Sequence, residues 1–163
     1  MSRTKVINEI IDIVPLLRCL DTELKKNVYM DLIKSWYTMD EIEEQYGSEG
    51  GDALVLMERL NLVDTKWVTK DNETVKSYHT YYDNINIMAH APLYELIDMF
   101  HVGAMSDEVY KKMENEIFDM VGEDGCFTGE IMEKFNISSI FLKTFVKRSP
   151  KLVLKGQKVL KLK

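Results

Sequence analysis

The features of this 163-residue sequence that could do chemistry are three histidines, two cysteines and a short glycine-containing turn. None stands at a spacing that completes a site. His79, His90 and His101 lack the tight pairing of a zinc motif, and His79 lies in an aromatic stretch. Cys19 and Cys126 are isolated and suit small, buried apolar positions, with a Cys–His pairing across the fold as the alternative. Gly47 to Gly51 lacks the Lys-Ser/Thr ending of a phosphate-binding loop and reads as a turn. The acids from Asp40 to Glu44 read as a solvated helix face, and Met30, Met57, Met113 and Met120 fit helical core positions. The expectation is a non-enzymatic chain with no catalytic residue, no cofactor and no metal site.

Cationic side chains give a stronger signal. The net charge is -6, but from Lys134 onward there are nine Lys or Arg and no acid, while the preceding 133 residues hold 12 bases and 27 acids. Such an asymmetry marks either a polyanion-binding end or a solvated basic hairpin that neutralises an acidic body. Lys143, Lys147 and Arg148 fall on one predicted helix, and Lys143 and Lys147, four apart, share a face. Ser138, Ser139 and Thr144 add hydroxyls able to meet phosphate oxygens. The tail supplies Lys151, Lys155, Lys158, Lys161 and Lys163.

These residues need elements to carry them. Ile7, Ile10, Ile11, Val14 and Leu17 have helical spacing, with Pro15 as a kink or an end. Asp21 caps a second predicted helix through about Trp36, with Leu24, Val28, Leu32 and Trp36 on its stripe. Thr38 and Glu41 form a capping box for a short helix. The glycines at 47, 50 and 51 end that helix, and a third runs from about Asp52 to Asn61. Lys66–Thr69 and a long strand from Val75 to Ile87 follow. This order is a helix-turn-helix with a β-hairpin wing.

Pro92 opens a connecting helix with Leu93, Leu96, Ile97 and Phe100 on its stripe, and His101 to Ser106 reads as a linker. The same order then recurs. Ser106 caps a helix with Val109, Met113, Ile117 and Met120 on one face, Thr128 caps a short helix, Ser138 caps a third, and Pro150 stops it. Two lysine-alternating strands, 151–155 and 158–163, turn at Gly156-Gln157. The expected fold is mainly α with small β-hairpin wings (α+β), as tandem winged helix-turn-helix modules. Its parts are an N-terminal helix (1–20) able to contact a dimer partner, a first module (21–91), a connecting helix (92–105) and a second module with a basic hairpin (106–163). No apolar run reaches the length of a membrane span, and Val6 to Leu20, interrupted by Asn8, Glu9, Asp12, Pro15 and Arg18, does not read as a signal peptide. With only two cysteines, the expected location is the cytoplasm.

The pattern Leu54-x-x-Met57-x-x-Leu60-x-Leu62-Val63, followed by Lys66-Trp67 and the aromatic strand Lys76-Ser77-Tyr78-His79-Thr80-Tyr81-Tyr82, resembles the ArsR-type winged-helix regulators, particularly an archaeal branch, from Asp21 to Ala91. The resemblance implies a homodimer, a recognition helix at about Asp52 to Asn61, a wing tip near Lys70 to Glu73 and double-stranded DNA as partner. Metal sensing does not carry across, because positions 52 to 61 hold no cysteine. Arg59, Lys70 and Lys76 are the first module's candidate DNA contacts. That module nevertheless holds seven bases against 14 acids between Asp21 and Ala91. Two functions follow: a homodimeric DNA-binding transcriptional regulator, or a winged-helix module that binds another protein and little or no DNA.

Overall fold

The computed structural model describes residues 3–162. Contacts divide the chain into two units. The first is the chain up to Ile7 together with Leu16–Met88, and the second is Asn8–Pro15 together with the chain from Ala89. The architecture is mainly helical with small sheets, an α+β arrangement. Each unit runs through helix, two-residue strand, helix, helix and two-stranded hairpin.

In the first unit these elements are α2 (Glu23–Lys34), β2 (Tyr37–Thr38), α3 (Met39–Tyr46), α4 (Ser48–Arg59), β3 (Val63–Lys70) and β4 (Glu73–Thr80). In the second they are α6 (Asp107–Met120), β6 (Cys126–Phe127), α7 (Thr128–Phe135), α8 (Ser139–Arg148), β7 (Leu152–Lys155) and β8 (Lys158–Lys161). Strand order is β2-β4-β3 in one unit and β6-β8-β7 in the other, antiparallel throughout. Two additional helices are α1 (Ile13–Cys19) and α5 (Leu93–Ala104).

Several sequence expectations are corrected. The N-terminal segment is not one helix. Thr4–Ile7 is a strand, β1, paired in parallel with β5 (Asn84–Ile87), and a 3-10 turn at Ile10–Asp12 precedes α1. Its β-branched residues favour extended backbone once a partner strand is present, and that partner is distant in sequence. The long strand expected from Val75 to Ile87 is accordingly two strands, broken at Tyr81 to Asp83. The α2 cap is Thr22, whose Oγ1 accepts from Lys25 N at 3.2 Å. Asp21 instead pairs with Arg18 and Lys25, both at 2.7 Å. Trp36 lies past the end of α2, stacked on His79 at 5.2 Å.

The capping box at Thr38 is present, with Glu41 N donating to Thr38 Oγ1 at 3.3 Å and Thr38 N donating to Glu41 Oε2 at 2.8 Å. Gly47, at φ +72°, makes the turn between α3 and α4. Gly50 and Gly51 do not break anything. They lie inside α4, where a Cβ on Gly50 would come within 2.5 Å of Tyr46 Cβ. Gly50 lets α3 and α4 pack closely, an effect invisible to propensity.

Each unit has its own core. Val28, Leu32, Ile42, Leu54, Met57 and Tyr78 lead the first, and Ile117, Ile131, Leu142, Phe145, Leu152 and Val159 the second. The buried face of α6 is Tyr110, Glu114 and Ile117, offset from the expected stripe, so Val109 is exposed. α5 runs through the expected linker to Ala104 and packs on α8 within the second unit. Among the described residues no helix is long and apolar enough to cross a membrane.

Candidate nucleic-acid interface

α8 begins at Ser138, whose Oγ accepts from Phe141 N at 3.1 Å, and stops before Pro150. It buries Phe141, Leu142, Phe145 and Val146. Ser139, Lys143 and Lys147 are exposed, and at intervals of four they form one outward stripe. Of the three hydroxyls expected to meet phosphates, only Ser139 is left for that purpose. Thr144 is buried, donating to the Ile140 carbonyl at 2.8 Å. Ser138 caps the helix and also donates to Asp98.

Arg148 is the main correction to the expected contact set. Its side chain is 5% exposed. Nη1 donates to the carbonyls of Val102 (2.7 Å) and Met105 (2.9 Å), Nη2 donates to Asp107 Oδ1 (2.7 Å), and the guanidinium lies 4.1 Å from the Tyr110 ring centroid. The group ties the end of α8 to the α5–α6 junction and does not face solvent. Its planar fork suits this role, because one residue satisfies several acceptors at once.

The hairpin carries its cations differently. Lys155 is exposed beside the Gly156-Gln157 turn. Lys158 Nζ reaches the Asp124 carbonyl at 3.4 Å and lies over the Phe127 ring. Lys151 donates to Asn115 Oδ1 at 3.2 Å, and Lys161 lies over Phe118. Lys147 pairs with Asp12 at 2.8 Å, with both side chains partly exposed. Exposed pairs of this kind contribute little, about 0–1 kcal/mol, and exchange readily for another anion. Lys163 lies outside the described residues.

Between α8 and the hairpin turn lies a groove of about 290 Å³. It is lined by Thr128, Ser139, Leu142, Lys143, Leu154, Gly156 and Gln157. Thr128 is not the expected helix cap. Phe127 occupies that position, and Thr128 is the first residue of α7, with its N–H donating to the Gln157 carbonyl at 2.9 Å.

The corresponding surface of the first unit has the opposite charge. From α3 through β4 it holds ten acids and four bases, whereas α7 through β8 holds two acids and eight bases. Lys70 pairs with Glu41 at 2.8 Å, and Lys76 pairs with Glu58. Each of these lysines is held above its usual pKa, first by the hydrogen bond to its carboxylate. Glu41 is lowered correspondingly, first by Lys70. Arg59 is exposed at the end of α4. Trp67 is 70% exposed on β3.

The cysteines are buried. Desolvation raises the Cys19 thiol to about 12, and burial raises that of Cys126. Among the described residues no three His, Cys, Asp or Glu side chains converge.

The sequence matches the model of the ArsR transcriptional regulator family over residues 7–163. The chain belongs to the ArsR transcriptional regulator family. The match runs well beyond the stretch from Asp21 to Ala91 that carries the visible resemblance, and it includes α8 and the basic hairpin. Membership in this ArsR family therefore covers both units, not the first alone. No curated protein matches the sequence significantly.

Proposed function

We propose that this ArsR-family chain is a DNA-binding transcriptional regulator that acts as a homodimer. In this reading each unit is a winged helix-turn-helix module, and the second unit makes most of the phosphate contacts. One observation carries it: the exposed stripe Ser139, Lys143 and Lys147 stands beside a lysine-bearing hairpin, in a segment with eight bases and two acids. Phosphate neutralisation supplies much of DNA affinity, and at physiological salt only charges within about 8 Å of the interface act strongly. The acids outside this segment then matter less than the bases that face the duplex.

The proposed contacts are Lys143, Lys147, Lys151, Lys155 and Lys158. Arg59, Lys70 and Lys76 have a minor part. Arg148 leaves the set because its guanidinium is enclosed. Homodimer formation is proposed through α5, where Leu93, Tyr94, Ile97 and Phe100 are 77%, 69%, 65% and 58% exposed. A contiguous apolar face of this kind marks association. The expected N-terminal dimer contact is not part of this reading, since Ile7, Ile11 and Val14 are buried within the chain itself. A cytoplasmic, non-enzymatic regulator without a cofactor completes the reading.

The test is duplex affinity against salt concentration. Changing Lys143 and Lys155 together to Ala should weaken binding to every sequence and reduce the salt slope of log K by about two. Arg59→Ala should change overall affinity less. If Arg59→Ala abolishes binding while the double variant binds normally, the first unit is the reader.

A second reading is favoured for the first unit alone. Its stretch from α3 through β4 holds ten acids and four bases, which suits a surface for a protein partner. A chain that binds no duplex at low salt would favour this reading for the whole protein.

A further inference from the structure

We propose that the groove between α8 and the hairpin turn is a discrete seat for one phosphate group, built largely from uncharged side chains. It rests on the DNA-binding reading only for the identity of the ligand, a backbone phosphodiester of duplex DNA.

The groove collects donors from three separated segments. Lys143, Ser139, Thr128 and Gln157 line it, and their side chains carry one cation, two hydroxyls and one amide. Ser139 is the first residue of α8, whose start favours an anion; Ser138 Oγ already accepts from the Phe141 N–H there. Gly156 and Gln157 form the turn between the paired residues Lys155 and Lys158. Gly156 stands at φ +59° with open space where a Cβ would be.

Thr128 gives the second argument. The equivalent threonine of the first unit, Thr38, uses its hydroxyl to cap α3. In the second unit the chain is displaced by one residue. Thr128 lies inside α7, makes no cap, and lines the groove instead. Its N–H holds the Gln157 carbonyl at 2.9 Å, which fixes the hairpin turn against the start of α7. Leu142 and Leu154 complete the lining with apolar surface. The volume of about 290 Å³ admits a tetrahedral phosphate with its ester oxygens.

A seat of this kind positions the protein along the duplex instead of adding diffuse attraction. Neutral substitutions in it should therefore cost affinity without altering the number of ions released. The experiment follows backbone amide resonances of Ser139, Gly156 and Gln157 during titration with a DNA duplex and, separately, with inorganic phosphate. Duplex affinity against salt is measured in parallel for Thr128→Val, Gln157→Ala, Lys143→Gln and Lys155→Gln, with thermal unfolding to confirm that each variant is folded.

The expected result is saturation of all three resonances by duplex. Thr128→Val and Gln157→Ala should each weaken binding about tenfold at unchanged salt slope, and Lys143→Gln should weaken binding and lower the slope by about one. If Lys155→Gln weakens binding but the groove variants do not, the seat is overturned and the DNA reading stands. If duplex leaves the resonances unmoved while inorganic phosphate saturates them, the DNA reading falls and the seat belongs to a free phosphate-bearing ligand. If neither probe moves them, the seat is overturned outright.

Discussion

Ser149 Oγ donates to Glu114 Oε1 at 2.5 Å, and the same hydroxyl oxygen accepts from the N–H groups of Lys151 and Leu152, each at 3.0 Å. Glu114 is 2% exposed and Ser149 5%. The pair sits where α8 passes through Pro150 into β7, and so it sets the angle at which the basic hairpin leaves the helix. Removing either partner strands buried polar groups, which costs about 1–3 kcal/mol. Ser149→Ala should lower the unfolding free energy by about 2 kcal/mol in urea titrations. On the proposed DNA-binding reading, duplex affinity should fall as well, with the salt slope unchanged.

Arg148 and Lys147 are neighbours with different expected outcomes. Arg148→Ala removes the donors of the Val102 and Met105 carbonyls and a cation over Tyr110. It should destabilise the protein by about 3 kcal/mol. Lys147→Ala loses a half-exposed pair with Asp12 and should change stability by less than about 0.5 kcal/mol. Thermal and urea unfolding distinguish the two, and equal effects would contradict the enclosed position of Arg148.

Gly50 and Gly51 should also part company. A Cβ on Gly50 meets Tyr46 Cβ, an atom close to the backbone of α3, so Gly50→Ala should cost about 1–3 kcal/mol through forced separation of the helices. A Cβ on Gly51 meets the Glu43 carboxylate end, which can swing aside. Gly51→Ala should therefore be neutral or stabilising by up to about 1 kcal/mol, since alanine favours the helix. Denaturant midpoints of the two single variants test the sign.

The exposed face of α5 predicts the oligomeric state. Ile97→Asp and Phe100→Asp should leave the fold intact, because both side chains face solvent in the single chain. Both should shift sedimentation at micromolar concentration from dimer to monomer. A parent protein that sediments as a monomer would remove α5 from the dimer reading.

Asp31 and Tyr46 give a dependence on pH with a definite sign. The Tyr46 hydroxyl donates to Asp31 Oδ2 at 2.5 Å. That bond is the first cause of a lowered Asp31 carboxyl and of a Tyr46 phenol pushed up to about 12. A lowered carboxyl stabilises the fold above its usual value near about 4 and loses that contribution as pH falls further. A raised phenol stabilises below about 10, and the contribution disappears as pH rises through the folded value. Tyr46→Phe should cost about 1 kcal/mol on the plateau between, and the difference from the parent should shrink below about pH 4 and above about pH 10. A difference constant across the whole range would sink the pairing.

Much of the local structure was legible in the sequence because its causes are local. The capping box at Thr38 and Glu41, the Ser138 cap, the stop at Pro150 and the turn at Gly156-Gln157 each depend on a few adjacent residues. The contrast between the acidic stretch from α3 through β4 and the basic stretch from α7 through β8 is a matter of counting. The tertiary structure alone decided the rest. Ile7 lies in a strand because Ile87, eighty residues away, is beside it, whereas the local spacing equally suits a helix. Position 50 takes glycine inside a helix because Tyr46 leaves no room for a Cβ. Arg148 is enclosed and Lys143 exposed, although both are cations on one helix, because α5 and α6 cover one side of α8 and leave the other open. The groove lined by Thr128, Ser139, Lys143 and Gln157 exists only once three segments meet, and no periodicity within any one of them encodes that meeting.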